Sequence, residues 1–303
     1  ISTASLRSKT IAGTVRRGRA GIMVPCIRMA KADPIRLRAM TDLSTTELAM
    51  LEGTLGDGVA LAMRILVRMA RLGNASHLLE ITSAHVDGCL YHGLAGLDLA
   101  ERLLNGGAQV SVPTTLNVSS LDLLHPELYR GDEETALLAR RLMDAYVGMG
   151  ASPTWTCAPY QLMARPRLGE QIAWGESNAI VFANSVLGAR TDRYGDFMDI
   201  CAAITGRVPA AGLHLDENRL ANVHVAVDIE TWSDSDYPVL GHLIGERFAD
   251  EIPVVSGMET ATEDQLKMLG AAAASSGATA MFHVVGLTPE APTLEAATGG
   301  MAV

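Results

Sequence analysis

The stretch "NVHVAVDIE" (222–230) places Val223, Val225 and Val227 on alternate positions. A period of two marks a strand with one covered face and one exposed face. The segments downstream of it decide the kind of sheet. "PVLGHLIGERFADE" (238–251) reads as a helix, "IPVVSG" (252–257) as a strand, "EDQLKMLGAAAASSG" (263–277) as a helix and "TAMFHVVG" (279–286) as a strand. Strands separated by helices argue for parallel pairing, because parallel neighbours need a long crossover.

The alternation extends upstream. In "DLSTTELAML" (42–51), Ser44 followed by Glu47 is a capping-box pattern, so a helix starts there and is cut short by Gly53, Gly56 and Gly58. Val59, Met63, Leu66 and Ala70 then share one stripe of a second helix, which Gly73 ends. "HLLEIT" (77–82) and "AQVSV" (108–112) read as strands. "GLDLAERLL" (96–104), "EETALLARRLMDAYVGMG" (133–150), "SNAIVFANSVLG" (177–188) and "FMDICAAITG" (197–206) read as helices. The expected fold class is α/β with mostly parallel strands. In such sheets ligands collect beyond the carboxyl ends of strands. The polar clusters "SAHVDG" (83–88), "VPTTLN" (112–117) and "LTPEA" (287–291) fall at those places. No GxGxxG or P-loop is present, so a nucleotide-dependent reading has no motif behind it.

Charge and composition narrow the classes further. Among 303 residues, aromatics are 4% and the net charge is −10, which argues against nucleic acid as a partner. No apolar run is long enough for a membrane span. Residues 1–40 carry nine Lys or Arg and one acid, leaving 41–303 at −18. This Ser- and Arg-rich, acid-poor segment fits a transit peptide, a disordered arm or a stretch foreign to the family, outside the folded region 41–303. Four widely spaced cysteines without a CxxC pair predict free thiols and a reducing cytoplasm rather than a disulfide framework.

Among the chemistry-bearing residues, His85 at a strand end is by spacing alone more often a hydrogen-bonded loop residue than a catalyst. Thr114, Thr115 and Asn117 form either a side-chain-stabilised turn or a polar pocket wall. The run "WGESNAIVFANSVLGARTDR" (174–193) sets Ser177, Asn178, Asn184, Ser185 and Arg190 on an apolar background, so its helix must line a polar cavity or face solvent. In "GLHLDENR" (212–219), Arg219 is suited to gripping a carboxylate with both arms of its guanidinium. Cys89 and Cys201 lie in stretches that read as packed. Only Cys157, in "WTCAPY" (155–160), has a setting that invites a metal or redox role.

Six stretches taken together, "SAHVDG", "VPTTLN", "TCAPY", "GEQIAWGESNAIVFANSVLGARTDR", "GRVPAAGLHLDENR" and "FHVVGLTPEAPTLEAA", resemble the large-subunit region of the aconitase X family over about residues 44–297. "NVSSLDLLHPELYRG" and "PTWTCAPYQL" resemble its branch that dehydrates cis-3-hydroxy-L-proline. Gly175 and Asp192 stand where the family pattern has Ala and Asn. The resemblance implies a hydro-lyase of aconitase-like fold, with an iron–sulfur cluster as Lewis acid and a small swivelling domain or subunit that closes over the site. The product would be Δ1-pyrroline-2-carboxylate. By the same resemblance Cys157 is one cluster ligand, and His85, Ser177 and Asn184 are catalytic. Thr114, Thr115, Asn117, Asn178, Ser185, Arg190 and Arg219 bind the hydroxy acid. The remaining cluster ligands and the small domain are expected outside this sequence, as in a truncated form. Alternative readings are dehydration of mevalonate 5-phosphate and an inactive fragment.

Overall fold

The computed structural model describes residues 42–162 and 164–303; the basic segment 1–40, with Cys26, lies outside them. Helix α1 (Thr45–Glu52) begins with the reciprocal cap its sequence calls for. The Ser44 hydroxyl accepts from the Glu47 amide at 3.3 Å, and the Glu47 carboxylate accepts from the Ser44 amide at 2.8 Å. Gly53 ends it with φ 87°, a left-handed conformation that glycine adopts without a Cβ clash. Helix α2 (Asp57–Leu72) buries Met63, Leu66 and Ala70, and Gly73 caps its end.

The chain continues through β1 (Leu78–Glu80), β2 (Ala84–Val86), α3 (Leu94–Asn105), β3 (Thr114–Leu116), α4 (Glu133–Gly148), β4 (Ala173–Trp174) and α5 (Ser177–Phe182), which runs on into a π turn (Ala183–Leu187). There follow α6 (Met198–Thr205), β5 (Arg207–Pro209), β6 (Val223–Ala226), α7 (Asp236–Arg247), β7 (Pro253–Ser256), α8 (Glu263–Ser276), β8 (His283–Val284) and α9 (Leu294–Thr298).

Two three-stranded parallel sheets organise these elements. One has the order β3-β2-β4, the other β6-β7-β8. The second is the one its valine pattern predicts: Val223 and Val225 are half-buried while His224 and Ala226 are exposed. Its crossover helices α7 and α8 lie very close together. A Cβ on Gly241 would collide with the Leu269 carbonyl and one on Gly245 with the Ala273 carbonyl, so both positions need glycine. Val255, Leu269, Phe282 and Val284 are fully buried between sheet and helices, and Val181 of α5 joins the same cluster. Each such side chain stabilises the fold by about 1.5–3 kcal/mol.

The first sheet departs from expectation in register. "AQVSV" is not a strand. The Val110 amide bonds to Met149 O and the Ser111 amide to Ala203 O, both 2.8 Å, so this backbone is held by helix ends and the strand starts later at Thr114. Strand β2 falls inside "SAHVDG", the run taken for a loop, and β4 has only two residues. "HLLEIT" pairs antiparallel with β5 rather than joining a parallel sheet. These strands are too short for any alternation to show, which is why their exact placement escapes a pattern-based reading.

Candidate active site

Strand β2 is central, flanked by β3 in register His85–Thr115 and by β4 in register His85–Trp174. Their shared carboxyl edge is extended by the Asn117 amide on Val86 O (2.9 Å) and the Gly175 amide on His85 O (2.7 Å). Three side chains therefore emerge together there: Asp87 after β2, Asn117 after β3 and Glu176 after β4. The Asn117 amide donates to Asp87. A fourth arrives on the outer side of β3. The Ser152 amide bonds Thr114 O (2.8 Å) and the Thr156 amide bonds Leu116 O (3.1 Å), which carries Cys157 to the same edge.

Cys157 is exposed, whereas Cys89 and Cys201 are fully buried. Desolvation, then the Glu176 and Asp87 carboxylates, push the Cys157 thiol above its ordinary value, so its sulfur sits within electrostatic reach of both acids. Burial likewise raises Asp87 and Glu176. Behind them Asp199, in the first turn of α6, is fully buried and pushed up to about 7 by burial. It accepts from the Asp87 amide at 2.6 Å. Among the described residues no Lys or Arg forms an ion pair with Asp87, Glu176 or Asp199. Glu176 has φ 67° and ψ 121°, unusual for a residue with a side chain, and its carboxylate caps α5 through the Asn178 and Ala179 amides (3.4 and 3.2 Å). Such strain costs about 1–3 kcal/mol and persists where the surroundings hold it.

Asn178 ties this corner together. Its Nδ2 donates to Cys157 O at 3.1 Å and to Glu176, while its Oδ1 accepts from the Tyr160 hydroxyl at 2.7 Å. Ser177 is half-buried beside it. Thr115 is half-buried one layer down, where its hydroxyl meets His85 Nδ1 at 2.8 Å. His85 itself is wholly buried, and burial drives its pKa down to about 3, so the ring is neutral. Its Nε2 has no hydrogen-bond partner among the described residues. His85 is a residue of β2 itself, two positions before Asp87 at the carboxyl edge.

The remaining expected residues are elsewhere. Helix α5 starts at the carboxyl edge and runs back, so Asn184 lies roughly 10 Å along it from Ser177. The Asn184 amide donates to Thr191 O (2.9 Å) and Ala280 O (3.1 Å) and accepts from the Thr191 amide (3.1 Å) and Arg219 (3.1 Å). The Ser185 hydroxyl accepts from the Phe282 amide at 2.9 Å, and the Thr114 hydroxyl donates to Val112 O at 2.8 Å. Arg219 is 1% exposed. All three of its nitrogens are engaged, by Glu290, by Asn184 and by the Leu213 and Ala189 carbonyls. Asn184, expected as catalytic, and Thr114, Ser185 and Arg219, expected to bind the hydroxy acid, thus have polar groups engaged within the protein in this structure. Arg190 pairs with Asp216, and its backbone bridges Gln171, upstream of β4 and away from the carboxyl edge. Asp192 forms no side-chain ion pair with either neighbouring arginine; its carboxylate accepts from the Arg193 amide at 2.9 Å and is buried against the 212–213 turn. Asp87, Glu176, Asp199 and Tyr160 were missed as site residues. The signal for Asp199 was present, as a lone acid in the apolar run "FMDICAAI".

One thiol at an edge does not make a metal site. Among the described residues no group of three His, Cys, Asp or Glu is placed to hold an ion. Iron–sulfur clusters take several thiolates, so these residues alone do not fit one.

Two family models match the chain: Aconitase X first domain over 40–217 and Aconitase X second domain over 221–302. The cis-3-hydroxy-L-proline dehydratase of Pseudomonas aeruginosa is 48% identical over 284 residues, covering 92% of this chain and 48% of its own length. That of Hypocrea jecorina is 46% identical, covering 85% and 44%. The phosphomevalonate dehydratase large subunit of Methanothermobacter thermautotrophicus is 42% identical, covering 82% and 62%. The crystal structure of holo aconitase X from Thermococcus kodakaraensis superposes with a TM-score of 0.77 at 38% identity, covering 84% of this chain and 64% of that one. The chain thus spans about half the length of the two hydroxyproline dehydratases.

Proposed function

Because this chain belongs to the aconitase X family, we propose that it forms part of a hydro-lyase that removes water across the C2–C3 bond of cis-3-hydroxy-L-proline. Loss of the α-proton and of the C3 hydroxyl gives an enamine, which tautomerises to Δ1-pyrroline-2-carboxylate. The observation that carries the reading is the convergence of Asp87, Asn117, Glu176 and Asn178 around the exposed Cys157 at one strand edge. The two relatives named for this substrate, at 48% and 46% identity, support the same choice.

The electrostatics of the edge favour an amino acid over a phosphate. Half-buried carboxylates that form no ion pair with Lys or Arg among the described residues suit the ring ammonium of a hydroxyproline, whereas a phosphate calls for arginine or lysine. Asp87 and Glu176 would take the ammonium, with Asn117, Asn178, Ser177 and Thr115 orienting the ring. The cofactor reading is an iron–sulfur cluster that supplies Lewis acidity when bound, with Cys157 as one ligand and the others from outside the described residues. A small subunit or domain would complete the site, in keeping with relatives named as large subunits.

The test is anaerobic reconstitution of the complete enzyme, followed by side-by-side assays with cis-3-hydroxy-L-proline and mevalonate 5-phosphate. Turnover of the first and loss of visible cluster absorbance in Cys157→Ala are expected. Full absorbance and rate in that variant, or turnover of the phosphate alone, would falsify the reading.

A further inference from the structure

We propose that Tyr160 is a positioning residue that anchors the oxygen end of the Asn178 amide and thereby locks the Cys157 segment to the start of α5. The proposal deepens the dehydratase reading, and its catalytic readout rests on that reading. Tyr160 is 2% exposed and its ring stacks on Phe182, with centroids 4.0 Å apart and planes 21° apart. Lys267 of α8 places Nζ 6.0 Å from the same ring, on the side of a surface cleft that Tyr160 shares with Arg165 and Glu263. These contacts fix the ring and hence the hydroxyl.

The orientation is dictated by donor and acceptor chemistry. The Tyr160 hydroxyl, able to donate or accept, donates here to Asn178 Oδ1 at 2.7 Å, because the NH₂ of the amide faces the other way. On that side lie two acceptors and no donor: the Cys157 carbonyl at 3.1 Å and the Glu176 carboxylate. A flipped amide would set its oxygen against both, which is repulsive. With the hydroxyl in place only one orientation satisfies all three partners. The Cys157 carbonyl and the Glu176 carboxylate, which only accept, demand the same orientation, and the Tyr160 hydroxyl pins the oxygen end of the amide. The Cys157 segment is held by the Thr156 amide on Leu116 O, the Ala158 amide on the Thr156 hydroxyl and this amide bridge.

Tyr160→Phe removes the hydroxyl and keeps the ring stack. Hydrogen exchange of the segment 154–162 is expected to quicken by about three- to tenfold, the effect of losing one hydrogen bond in a local opening. Asn178→Ala should quicken it similarly, and adding Tyr160→Phe to Asn178→Ala should change nothing more. In the complete enzyme Tyr160→Phe should lower kcat while KM for the hydroxy acid moves less than about twofold. Exchange at the parent rate in Tyr160→Phe, or an undiminished effect in the Asn178→Ala background, overturns the proposal. Absent dehydratase turnover with the exchange coupling intact would instead sink the functional reading and leave the role of Tyr160 standing.

Discussion

Replacing Arg219 by Lys separates a brace from a substrate clamp. The guanidinium reaches acceptors in several directions: both Glu290 oxygens, Asn184 Oδ1 and the carbonyls of Leu213, Asn184 and Ala189, at 2.5–3.1 Å. An ammonium is one point with three donors and cannot span them. At least two buried carbonyls lose their partner, at about 1–3 kcal/mol each. The ammonium keeps the charge and can still pair with Glu290, which is 21% exposed, so no broken-pair penalty is added. The expected loss is about 3 kcal/mol, or roughly 6–12 °C in melting temperature for a domain of this size. Urea unfolding and a thermal melt of the parent and variant measure it. Stability within about 1 kcal/mol of the parent, joined to a raised KM in the complete enzyme, would refute the argument and return Arg219 to the substrate.

Other predictions concern the carboxyl edge. Gly175→Ala puts a methyl 2.6 Å from Asp199 Oδ2 and 2.8 Å from Asp87 Cβ, so about 1–3 kcal/mol of stability should be lost; an unchanged urea midpoint would show that the edge yields. Asp199 is raised from 3.8 to about 7 by burial, so the folded state holds a proton that the unfolded state has released. Its contribution therefore falls as pH rises from about 4 to about 7 and is constant above that. Asp199→Asn should flatten stability in that window and stabilise the fold relative to the parent above pH 7; a parallel pair of pH–stability curves would contradict the assignment.

The two layers of the fold differed in how openly the sequence announced them. Val223, Val225 and Val227 alternate over enough residues to be seen, and the crossovers after them have ordinary helix lengths. Strands of two or three residues such as Ala173–Trp174 and Ala84–Val86 have no period to detect, and their polar tails looked like loops. For the site, type was legible but partnership was not. Cys157 stood out by its polar setting and does lie at the edge. Arg219 and Asn184 looked equally functional by chemistry, yet each is engaged by partners from 6 to 96 positions away in sequence. Glu176 was visible as a residue, but its left-handed backbone was not, since nothing local marks it.

The span 177–187 begins at the Cys157 corner and finishes where Ser185 holds the Phe282 amide of the second sheet. It works as a tie rod of fixed length. One residue gained or lost would shift its far end by about 1.5 Å and turn it by about 100°. Asn184 and Ser185 would then miss every partner, or Asn178 would swing off the Cys157 carbonyl. Point changes along its faces are open to selection, but indels are not, so length variation among functional descendants of this chain has to accumulate in surface segments such as 119–131.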